Sequence, residues 1–185
     1  MKKYFISMTF TIGFIWVYGQ QEADSTLTSD EIQFRDSIAA INTNNSLIQE
    51  IQELYNYGTE AFATSNFKNA ITYFESVIVL DSTNADAYFN KGLSHKELKN
   101  YELAISDFES AFNMDDKYFD AIFNIAKCYE LLNNKKLALS NYDRLLLYES
   151  SNIKAAYNQG VLYYLQEDYD NAIKTPLAVV KNIDL

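Results

Sequence analysis

The sequence predicts an all-α chain, an α-solenoid of about four repeated helix-turn-helix units. Three observations predict it. Gly58, Gly92, Ala126 and Gly160 recur at intervals of 34 residues, and Ala70, Ala104, Ala138 and Ala172 keep the same interval. Between these marks apolar residues step by three and four, as on the buried stripe of an amphipathic helix. No window alternates with period two for long enough to argue for a strand. A unit so short cannot bury its own apolar stripe, so successive units must stack into a shared core.

In chain order, residues 1–19 read as a secretory signal peptide. Met1-Lys2-Lys3 supplies a positive end, Tyr4 to Tyr18 is mostly apolar, and Val17-Tyr18-Gly19 precedes Gln20 as a cleavage site requires. The apolar run is shorter than the ~20 residues of a spanning helix and carries Ser7, Thr9 and Thr11. Export to the periplasm or cell exterior is therefore expected, without stable membrane insertion after cleavage; an uncleaved anchor is the alternative. No cysteine follows the leader to carry a lipid.

Residues 20–45 read as a polar linker with a short helix, about 29–41, in it. Thr28 and Glu31 have the spacing of a capping box, and Ile32, Ile38 and Ile41 are assigned to one face. Asn42-Thr43-Asn44-Asn45 is expected to break the chain, and Ser46 opens the repeat domain, 46–185. Its units run 51–84, 85–118, 119–152 and 153–185. Polar pairs separate the two helices of each unit: Ser65-Asn66, Lys99-Asn100, Asn133-Asn134 and Glu167-Asp168. Asp81 to Asn84, Asp115 to Lys117 and Glu149 to Asn152 stop one unit and cap the next.

At these positions the chain resembles the tetratricopeptide repeat, whose pattern sets bulky, small and aromatic residues at fixed offsets. The bulky–small pair reads Leu54/Gly58, Tyr88/Gly92, Ile122/Ala126 and Ala156/Gly160, and the second helices carry Ala70/Phe74, Ala104/Phe108 and Ala138/Tyr142. The turn aromatic is Phe67, Tyr101 and Tyr169, with Lys135 departing in unit three. Ser82, Asp116 and Ser150 replace the family's terminal proline, so less rigid turns between units are expected. The resemblance implies a right-handed superhelical array that binds other polypeptides.

Composition narrows the function. Fifteen Tyr and twelve Phe against a single Pro suit helix–helix contacts of large area. A net charge of −10, with the basic residues scattered, makes nucleic acid and anionic membrane surfaces poor partners. The only cysteine, Cys128, reads as a small buried thiol in the first helix of unit three. His95, the only histidine, has no neighbour at metal-ligand spacing and reads as a packing residue. There is no Gly-rich phosphate loop, Cys-x-x-Cys or Gly-x-Ser-x-Gly. No enzyme activity, metal or cofactor is expected.

In solenoids of helix pairs the first helices line the inner surface. There Tyr55, Phe89, Phe123 and Tyr157 form one column, and Asn56, Asn90, Asn124 and Asn158 the next, with Lys127 as a nearby cation. The aromatics offer apolar contact and the amides can pair with an extended peptide backbone. The same amides can instead bond between neighbouring helices, and both readings stand. The resemblance also implies an absence. Tetratricopeptide domains that grip chaperone-tail carboxylates set lysines and asparagines where this chain has Tyr55, Thr59 and, in unit three, Asp120 and Asn124, and only Asn90 matches, so an uncharged or basic segment is the expected ligand.

Unit four ends differently. Pro176 stands where an aromatic is expected and should kink or break the helix. Leu177, Val180 and Ile183 beyond it offer a C-terminal interface. The expected role is a non-catalytic adaptor or assembly factor. Self-association through that end, or positioning within an enzyme complex, are the alternatives.

Overall fold

The computed structural model describes residues 28–181, with side chains described as far as Pro176. Among the described residues eight α-helices follow one another: α1 (Ser29–Ala63), α2 (Phe67–Leu80), α3 (Ala85–Glu97), α4 (Tyr101–Met114), α5 (Phe119–Leu131), α6 (Lys135–Tyr148), α7 (Ile153–Tyr164) and α8 (Tyr169–Lys181). No strand occurs among the described residues. The chain divides into two compact units, Met1–Asn45 and Ser46–Leu185. Within the second, α2 to α8 pack each on the next, as in a solenoid.

The N-terminal helix starts as its sequence predicts. Thr28 N–H donates to Glu31 Oε2 (2.8 Å), Glu31 N–H returns to Thr28 Oγ1 (3.4 Å), and the backbone bond holds the Glu31 carboxyl below its ordinary range. The expected break at Asn42–Asn45 does not form, and α1 runs through it. These four residues include neither Gly nor Pro, and the Thr43 hydroxyl bonds the Ala39 carbonyl (2.9 Å) inside the helix rather than competing with it. Ile32 also leaves the expected face. At 100° per residue Phe34, not Ile32, lines up with Ile38 and Ile41.

The turn within each unit is the same motif four times. Ser65, Lys99, Asn133 and Glu167 all have left-handed φ, between 56° and 63°. In unit one, Asn66 N–H reaches the Ala61 carbonyl and Ser65 N–H the Phe62 carbonyl; Asn100 to His95 and Lys99 to Lys96 repeat the pattern. These are Schellman caps made without glycine. Between units, side-chain bonds stand in for the absent proline. Asp81 Oδ1 accepts from Thr83 N–H (3.0 Å), Asp115 Oδ1 from Lys117 N–H (2.9 Å), and Glu149 Oε2 from Asn152 Nδ2 (2.7 Å).

The small residues mark close approaches. A Cβ added to Gly58 would stand 2.7 Å from Phe74 Cε1, and one added to Gly92 would stand 2.8 Å from Phe108 Cε1. Both rings are fully buried. Cys128 is buried too, and burial pushes its thiol up to about 11.

Among the described residues the apolar core forms two clusters. Ala61, Ala70 and Phe74 form one, and a larger cluster extends from Ala104 to Leu162. Charged groups lie near the division. Lys91 Nζ is 3.0 Å from Asp107 Oδ1 and 3.9 Å from Glu75 Oε1, while His95 Nε2 is 3.8 Å from Asp107 Oδ2. Burial raises the Asp107 carboxyl even with Lys91 beside it, and burial lowers His95. His95 is thus a packing residue in a charged setting.

Candidate functional site

The two columns of the inner face have separate tasks. In units one to three the aromatic column leans on the second helix of its own unit. Tyr55 packs on Phe74 (ring centroids 5.7 Å apart), Phe89 on Phe108 (5.4 Å) and Phe123 on Tyr142 (5.9 Å). All three are half-buried by these contacts. Unit four has no ring at the corresponding place. Pro176 occupies it, and Tyr157 is left 66% exposed.

The helix does not end at that proline; α8 continues to Lys181. Proline frees the carbonyl four residues earlier, here that of Ala172. This oxygen lies where a Cβ on Gly160 would meet it at 3.1 Å, with Pro176 Cγ at 3.2 Å. Gly160 thus gives room for both the freed carbonyl and the proline ring. Tyr157, Val161 and Tyr164, one face of α7, then line an apolar cleft of about 270 Å³ with Gly160, Ala172, Ile173 and Pro176.

The amide column is largely engaged within the protein. Asn90, Asn124 and Asn158 each donate through Nδ2 to the carbonyl one turn back, at Asp86 (2.9 Å), Asp120 (2.9 Å) and Lys154 (2.7 Å). Asn90 Nδ2 also donates to Tyr55 Oη (2.8 Å) of the preceding unit. Lysines of preceding units supply two further links: Lys96 Nζ donates to Asn124 Oδ1 (2.7 Å), and Lys127 Nζ to Asn158 Oδ1 (3.4 Å) and Glu130 Oε2 (2.7 Å). Asn56 accepts from Gln52 Nε2 (3.1 Å) and is exposed. The inter-helix reading of the amides is thus realised for Asn90, Asn124 and Asn158. Each primary amide nevertheless carries two N–H groups and two acceptor lone pairs, so the column keeps capacity to spare.

Sequence reasoning missed two participants. Tyr118 stands in the register of Asn84 and Asn152, which cap α3 and α7 by accepting from Ala87 and Ala155 N–H (2.9 Å each). Tyr118 makes no such cap. Its ring lies 4.9 Å from that of Phe89 and its hydroxyl donates to Asp86 Oδ1 (2.6 Å); burial first, and then this bond, raise its pKa. The departure from Asn in the 34-residue register was the available signal. Lys96 is the other, and its repeat equivalents, Phe62, Glu130 and Tyr164, gave no signal.

Of the sequence-predicted set, Tyr55 with Asn90, Asn124 with Lys96, and Lys127 with Asn158 thus form separate links between successive units, Phe89 packs on Phe108 and Tyr118, and Tyr157 stands open. The leader falls outside the described residues, as does Ile183, and the side chains of Leu177 and Val180 are outside them too. Among the described residues no group of His, Cys, Asp and Glu could hold a metal ion, and no helix is long and apolar enough to cross a membrane.

Residues 85–118 and 120–182, together more than half of the chain, match family profiles described as tetratricopeptide repeat. Among solved structures, MamA superposes with a TM-score of 0.66 at 20% identity, over 79% of this chain and 82% of its own. YrrB, described as a tetratricopeptide repeat protein with an unusual peptide-binding site, gives 0.59 at 20% identity over 74% of each chain. The first such domain of Spaghetti (RPAP3), bound to the HSP90 peptide SRMEEVD, gives 0.59 at 21% identity, over 64% of this chain and 94% of that one. No curated protein matches the sequence.

Proposed function

The chain belongs to the tetratricopeptide repeat family, and from that premise we propose that it is a non-catalytic adaptor that holds an extended polypeptide segment on its inner face. The single observation that carries this reading is the opening at unit four. Tyr157, Val161 and Tyr164 share one exposed face of α7, and the cleft beside them is lined almost wholly by carbon. Such a cleft takes one apolar side chain of a ligand. Asn124, Lys127 and Asn158 lie along the adjacent column, where spare amide valences bond a ligand backbone.

The ligand is uncharged or basic rather than acidic. Asp86 and Asp120 flank the column, and Lys96 and Lys127 are already bonded to Asn124, Asn158 and Glu130. The Spaghetti domain's acidic peptide is therefore a poor guide to this one. Phe89 and Phe123 serve mainly as packing, with Tyr157 the principal apolar anchor.

The test is selection of peptides from a random display library on the purified protein, followed by anisotropy titration of the enriched sequences. Enriched peptides should carry an aromatic or aliphatic anchor, and Tyr157→Ser with Val161→Asp should weaken them at least ~10-fold. Unchanged affinity in that variant would exclude the cleft. We also propose export with cleavage of the leader, on the charge and apolar run of residues 1–18; an intact N-terminal Met1 on protein recovered from the producing cell would contradict the cleavage, and recovery of the protein in the cytoplasmic fraction would contradict the export.

A further inference from the structure

The capping register breaks once, and the break serves a carboxylate on the inner face. Asn84 and Asn152 cap α3 and α7, but Tyr118 in the same place gives α5 no side-chain cap. Asn there would supply the bond, so the tyrosine forgoes some helix stability. Its hydroxyl instead donates to Asp86 Oδ1 (2.6 Å), and its ring lies 4.9 Å from that of Phe89. The helix dipole accounts for a carboxylate in the first turn of α3. It does not account for the tyrosine that orients it.

Asp86 is exposed and has no cation. The acidic partners in ion pairs among the described residues are Asp36, Glu75, Asp107 and Glu130, and Asp86 Oδ2 accepts no bond among them. Asp120, one unit on in the same column, is likewise exposed and without an ion pair. Among the described residues no group of carboxylates and other ligands could hold a metal ion, so a lone oriented carboxylate here suits an organic cation. The half-buried rings of Tyr118 and Phe89 stand beside it.

We propose that Asp86 receives the ammonium or guanidinium of one basic residue of the bound segment, with the rest of that side chain lying on the Tyr118 and Phe89 rings. The proposal rests on the inner face being the surface that binds the segment. It adds a charge requirement at unit two, separate from the apolar cleft at unit four, so the basic residue and the apolar anchor fall at different points of one extended ligand. Asp86 meets the ligand through Oδ2. Tyr118 is a positioning residue, holding the carboxylate by Oδ1, and Asp120 adds negative potential along the same column.

The test uses peptides of about 16 residues, roughly 50 Å when extended, selected from a random display library on the full chain. Enriched sequences should carry Lys or Arg besides the apolar anchor. Each is then titrated by anisotropy against the same peptide with its lysine acetylated or its arginine replaced by citrulline. Loss of the charge should weaken binding about 5-fold. Asp86→Asn still accepts from Tyr118, so it should keep the circular dichroism and the affinity for the neutral peptide while erasing that 5-fold difference. Tyr118→Phe keeps the ring and releases the carboxylate, and should shrink the difference without erasing it. Enriched peptides with an apolar anchor and no basic residue overturn this proposal and leave the adaptor reading standing, whereas a library that yields no binder overturns both. A charge preference undiminished in Asp86→Asn also overturns the proposal, because it places the cation elsewhere.

Discussion

Replacing Gly92 with alanine probes the packing rule on which the solenoid rests. The added Cβ would stand 2.8 Å and 2.9 Å from Phe108 Cε1 and Cδ1, and 3.2 Å from Asp107 Cβ. Phe108 has no room to retreat. It is fully buried, and the Phe89 ring packs against it at 5.4 Å. Overpacking of this kind costs ~1–3 kcal/mol, while a helix-interior Gly-to-Ala change returns up to ~1 kcal/mol of backbone entropy. The net expectation is a loss of about 1 kcal/mol. Gly160→Ala is the control. It meets Pro176 Cγ at 3.2 Å and the Ala172 carbonyl at 3.1 Å, so helix propensity offsets most of the strain. Urea unfolding followed by circular dichroism should rank Gly92→Ala below wild type and Gly160→Ala near it. Equal or greater stability of Gly92→Ala would refute the reasoning.

Three further outcomes follow from the same structure. Lys99→Gly and Glu167→Gly should each raise stability by roughly 0.5–1 kcal/mol, because a left-handed residue with a Cβ is strained and glycine is not; Asn133→Gly should gain less, and thermal melts compare the three. Acidification below about pH 6.5 should destabilise the fold through His95. Burial holds it neutral when folded, so the unfolded chain takes the proton first and stability is lost as pH falls toward the folded pKa. Glu75, Lys91 and Asp107 face it, and Asp107, whose pKa is raised, acts with the opposite sign in a more acidic window. His95→Gln should flatten the slope of stability against pH as pH falls below about 6.5, measured by urea midpoints; an unchanged slope would exclude His95 as its source. Finally, Cys128 should resist thiol reagents at pH 8 in the native protein and react fully in urea, since its pKa is near 11 and its sulfur is covered.

The 34-residue register was legible well beyond the helices. It marked Ser65-Asn66 and its three equivalents as turns, and the structure places the left-handed residue at the first member of each pair. The conformation itself was not legible at Lys99 or Glu167, because neither residue is one that favours it. The polar run at 42–45 misled for a related reason. Propensity penalises Asn and Thr in helices only by tenths of a kcal/mol, which a helix capped at Thr28 and anchored by buried Gly58 and Ala61 absorbs. In the candidate site, the columns of Tyr/Phe and Asn were readable from spacing alone. Which amide hydrogens were already spent was not, because a bond from Asn124 to the Asp120 carbonyl depends on a rotamer that the sequence does not encode. Nor does spacing reveal that replacing a ring by Pro176 uncovers Tyr157; that follows only from knowing that Phe74, Phe108 and Tyr142 cover its equivalents.

The central claim is that the inner face at unit four receives a polypeptide. A photo-reactive phenylalanine analogue at position 157, compared with one at Leu147, which is 86% exposed on α6, tests it most directly. With a library-selected peptide bound, irradiation should attach the peptide at position 157 and leave position 147 unmodified. Equal labelling at both positions, or labelling at 147 alone, would contradict the account.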